Sequence, residues 1–63
     1  MSLVVMMKVP QNGEPHKLAV NKNNILEVSE KDKETSWLKY WDGNGVRSTI
    51  IKGSPLQVAQ ACK

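Results

Sequence analysis

Apolar and polar positions alternate through most of this chain, and turn-forming residues interrupt the alternation roughly every eight to twelve positions, the spacing of an all-β meander. Leu3 to Val9 is β-branched and apolar and stops at Pro10, which marks a first strand. Gln11-Asn12-Gly13-Glu14-Pro15 reads as a turn, because Asn-Gly accepts positive φ at least cost. His16 to Val20 forms a second strand. Asn21-Lys22-Asn23-Asn24 bonds to its own backbone and predicts a tight turn or a single helical turn. Ile25 to Glu30 is the third strand, Lys31 to Glu34 a charged loop, and Thr35 to Trp41 the fourth strand. Asp42-Gly43-Asn44-Gly45 is the strongest hairpin signal, and Val46 to Lys52 is the fifth strand.

After Gly53 the period changes. Ser54 can cap a helix, Pro55 suits its first position, and Gln57 stands three residues after the cap, as in a capping box. The helix ends near Ala61 and is too short to stand alone, so it must lie against the sheet. The pattern therefore predicts one mainly β domain over residues 1–63. Its form is a small, curled, five-stranded antiparallel sheet or partly open barrel with one short C-terminal helix.

The hairpin from Trp37 to Ile51 carries the most information. If Trp41 pairs with Val46, one face holds Trp37, Lys39, Trp41, Val46, Ser48 and Ile50, and the other Leu38, Tyr40, Arg47, Thr49 and Ile51. Both faces carry large apolar groups, unlike a sheet with one dry and one wet side. The plainer expectation makes one face the core and covers the other with the terminal helix. The sharper one leaves part of the second face open for a partner. With no Phe in the chain, the two tryptophans are expected in the core or in a protein interface.

Composition narrows the functional classes. A 63-residue chain buries only about 60% of the surface its unfolded form exposes, so its stability is marginal or borrowed. Cys62 is the single cysteine and His16 the single histidine, which excludes an internal disulfide and is too few for a structural zinc. Self-association is the remaining support, and a homo-oligomer is expected. A free thiol suits the reducing cytoplasm. The apolar run Leu3 to Met7 falls short of the about 20 residues of a membrane span and lacks the features of a signal peptide, so no membrane partner is expected. Net charge is only +3, eight of the nine cations are lysine, and Arg47 alone offers a bidentate fork.

The order of Lys17-Leu18-Ala19-Val20-Asn21, Ile25-Leu26-Glu27-Val28, Leu38-Lys39-Tyr40-Trp41-Asp42-Gly43 and Val46-Arg47-Ser48-Thr49 resembles the flagellar FlbD-like family of small proteins. That family's pattern runs through an Asn-started turn, an Ile-Glu strand, an Asp-Gly or Asn-Gly hairpin and a short terminal helix. The resemblance covers about residues 8 to 61 and implies the architecture. Ser54-Pro55 replaces the family's usual acidic helix start, and the helix is shorter.

No catalytic, cofactor or metal site is expected. His16 follows a turn with no positioned carboxylate or nucleophile, and Cys62, between Ala61 and Lys63 at a fraying end of the helix, is expected to be an inert or adventitiously oxidised thiol. Glu27 and Glu30 fall on opposite strand faces. Asp42 and Asn44 lack the further oxygens of a calcium loop. Gly43 and Gly45 lie between two strands, where a dinucleotide fingerprint needs a helix start. The chain is thus expected to be a non-catalytic protein-interaction or regulatory module, with Trp37, Lys39, Tyr40, Trp41, Arg47 and Ile50 as candidate contact residues. The alternative is a small β-barrel for single-stranded nucleic acid, with Trp37 and Trp41 stacking bases around Lys39.

Overall fold

Each turn signal resolves into a reversal of the chain. A computed structural model describes residues 2–62, so the ends of the expected domain, Met1 and Lys63, lie outside it. Five strands, β1 (Leu3–Lys8), β2 (His16–Asn21), β3 (Ile25–Glu30), β4 (Thr35–Trp41) and β5 (Val46–Lys52), precede one helix, α1 (Pro55–Ala61). All strand pairs are antiparallel, in one open sheet ordered β2-β1-β5-β4-β3. The expected mainly β fold with a C-terminal helix is the observed one.

The edge strands β2 and β3 are joined by a single 3-10 turn, Lys22–Asn24, capped by Asn21 through its Oδ1, which accepts the Asn23 N–H at 2.9 Å. In a flat sheet those edges would lie about 19 Å apart, four strand spacings. So short a link forces the sheet to curl, and Ala19 and Asn21 lie beside Tyr40 and Trp41. The turn between β4 and β5 is equally local in origin. Asp42 Oδ1 accepts the N–H groups of Asn44 and Gly45, at 2.8 and 2.9 Å, while Gly43 takes φ +101°.

The concave side holds the core. Val4 and Met6 from β1, Val20 from β2, Leu38 from β4 and Ile51 from β5 cluster with Val58 of α1, and Leu38 and Ile51 are wholly inaccessible. Leu18, Ile25, Val28, Tyr40 and Cys62 pack around this cluster. The helix therefore lies on the same side as the core. This corrects the expectation that α1 would cover the other face of the hairpin. The reason lies in β1 and β2: they bring their own apolar residues to the concave side, so α1 caps that cluster.

Candidate protein-interaction face

The register of β4 and β5 puts Trp37 opposite Ile50, Lys39 opposite Ser48 and Trp41 opposite Val46. Side chains opposite each other in an antiparallel pair share a face, and this one is the convex outer face. Trp37 is 42% exposed, Trp41 44% and Val46 56%, whereas Ile50 is half-buried. Of the two places expected for the indoles, the core and a protein interface, the structure excludes the core. The fourth strand alternates Ser36, Leu38 and Tyr40 inward, and a two-residue period sends both tryptophans outward together.

Each indole borders a groove. Trp37, with Val9, Pro10 and Ile50, lines one of about 300 Å³ where the chain leaving β1 runs beside β5. The Val9 N–H donates to the Ile50 carbonyl at 2.8 Å and holds that segment in place. Trp41 borders a second groove of about 340 Å³, with Ala19, Asn24 and Gly43. Sequence reasoning could not find Val9 and Pro10 here, because β1 meets β5 at a single rung, Lys8 with Ile51, far apart in the chain. Val46 was legible from its place opposite Trp41.

The six candidate contact residues divide. Trp37, Lys39, Trp41 and Ile50 share the outer face. Tyr40 and Arg47 oppose each other on the other side of the sheet. Tyr40 is half-buried against the core, and Arg47 is exposed at the end of the hairpin. The Arg47 Nε donates to Asp42 Oδ2. With the N–H of Asn44 as the main cause and Arg47 next, the Asp42 carboxyl is held below the usual aspartate range, and the same contact raises Arg47. The chain's only guanidinium is thus committed to its own turn.

Charge on the outer face is balanced. Lys39 lies between Ser48 of β5 and Glu27 of β3, its cross-strand neighbours. A register shift between Ile25 and Glu27 leaves Leu26 as an extra residue, 54% exposed. His16 is exposed with Nδ1 3.4 Å from the Glu14 carbonyl, and Cys62 is half-buried against the core. Among the described residues, no three His, Cys, Asp or Glu side chains are grouped to hold a metal ion. No described helix is long and apolar enough to cross a membrane. Comparison with family models, curated proteins and solved structures finds no match to this chain.

Proposed function

We propose that this protein is a non-catalytic protein-interaction or regulatory module of the cytoplasm that works through the outer face of β4 and β5. The observation that carries the reading is an uncovered sheet face on which Trp37, Trp41 and Val46 are all exposed. Aromatic side chains supply large contact areas at little conformational cost, and they are enriched at protein interfaces. A protein surface meets such a face by excluding water from the indoles on either side of Lys39 and leaving Glu27 of the edge strand at the rim.

One observation favours a second reading, single-stranded nucleic-acid binding: Lys39 stands between two exposed indoles on one strand. The surrounding charge favours the protein reading. Glu27 neighbours Lys39, and Arg47 is paired with Asp42. A fluorescence titration with mixed-sequence single-stranded DNA at low salt separates the two. The protein reading expects an unchanged tryptophan signal. Salt-sensitive quenching at micromolar concentration would replace it with the nucleic-acid reading.

A further inference from the structure

The outer face is self-complementary, and we infer that its occupant is a second copy of this chain, packed sheet against sheet about a two-fold axis running along β4 and β5. The inference rests on the proposed use of that face for protein contact and adds the partner and the geometry.

Three outward rungs make up this face: Trp37 with Ile50, Lys39 with Ser48, and Trp41 with Val46. A two-fold axis in the interface, parallel to the strands and midway between them, lays β4 of one protomer over β5 of its partner. Trp37 then faces the partner's Ile50, Trp41 the partner's Val46, and Lys39 the partner's Ser48. Each indole meets an aliphatic side chain, and the single cation meets a hydroxyl that accepts its hydrogen bond. Every rung is satisfied twice, as an isologous interface requires. The other in-plane axis, across the strands, stacks Lys39 on the partner's Lys39, and like charges so placed are repulsive. Charge thus selects one of the two arrangements. Sheets packed face to face lie about 10 Å apart with strands nearly aligned, a spacing that tryptophan and isoleucine fill.

The contact involves two strands on a convex surface, which puts it at the low end of specific interfaces, below about 1,200 Å² in total. The expected dimer is therefore a reversible one rather than an obligate one.

Sedimentation velocity from micromolar to near-millimolar protein should show the 7.0 kDa chain moving to twice that mass, with a blue shift of tryptophan emission as the indoles lose water. Ser48→Lys places a lysine opposite the partner's Lys39 at both ends and should weaken the dimer at least tenfold. Lys39→Glu supplies the opposite charge for the second arm. The decisive arm mixes the two variants. The carboxylate introduced in one protomer then faces the ammonium introduced in the other, and a heterodimer should form. The ammonium of the Ser48→Lys chain also faces Lys39 within its own protomer, but mixing cannot relieve that repulsion, so rescue reports only the contact between protomers. A chain that stays monomeric throughout, or variants that fail to rescue on mixing, would overturn the inference. Either result leaves the broader protein-contact reading to the DNA titration, so the two failures are distinguishable.

Discussion

Ser36 is the polar residue the core cannot lose. It is fully buried in β4, and its Oγ donates to the Gly53 carbonyl at 2.6 Å. The Gly53 N–H donates in turn to the Glu34 carbonyl at 2.7 Å, and Gly53 takes φ +106°, which lets the chain leave β5 and enter α1. Ser36→Ala removes the donor and leaves the Gly53 carbonyl without its hydroxyl partner, so a loss of about 1–3 kcal/mol is expected in urea denaturation. Nothing local marks Ser36 in the sequence, where it is one more polar position in a strand, because its partner lies 17 residues away. Asp42 is the opposite case: its turn was legible because the contacts that close it fall within three residues, whereas its pairing with Arg47, five residues on, was not read. Its pKa lies below the ordinary 3.8 in the folded state, mainly through the Asn44 N–H. A depressed carboxyl stabilises the fold above the unfolded-state value and loses that contribution as pH falls through the folded one. Asp32, which accepts the N–H groups of Glu34 and Thr35, is lowered in the same way. Stability should therefore fall as pH drops below about 4, and thermal melts of Asp42→Asn should show a shallower acid decline.

At the scale of elements, α1 shows what a sequence can and cannot specify. Its capping box is complete: the Gln57 N–H donates to Ser54 Oγ at 3.3 Å, and the Ser54 N–H donates to Gln57 Oε1 at 2.9 Å. These signals lie within four residues, so the start of the helix was readable, as were the bounds of β3, β4 and β5. The face on which the helix packs was not. Leu38 and Ile51 on one side of the hairpin and Trp37 and Ile50 on the other are comparably apolar, so the choice fell to Val4, Met6 and Val20. Those residues reach the concave side only through the curl of the sheet and the single rung between β1 and β5. A seven-residue helix has little stability of its own, so its cap matters. Ser54→Ala should cost about 0.5–2 kcal/mol. It should also raise amide exchange first at Gln57 and Val58, while the β4–β5 ladder stays protected.

For the molecule as a whole, the sheet assigns its two sides different duties, and two adjacent residues separate them. Ile51 points inward and is wholly inaccessible, whereas Ile50 points outward and is half-buried beside Trp37 and Pro10. A hairpin with apolar groups on both faces looks, in sequence, like one large core. In three dimensions it is a core of modest size plus a surface, and the tryptophans lie on the surface. Ile51→Ala removes buried atoms from a cluster closed by α1, leaving a cavity, and should cost about 2–5 kcal/mol, visible as a lower urea midpoint. Ile50→Asp puts a carboxylate where the partner's Trp37 would rest, at a position where water already reaches the side chain. It should leave most of the protomer's stability in place while abolishing the concentration-dependent gain in mass by sedimentation. If Ile50→Asp unfolded the chain as severely as Ile51→Ala, the outer face would be holding the protomer together, and its assignment as a surface for partners would fail.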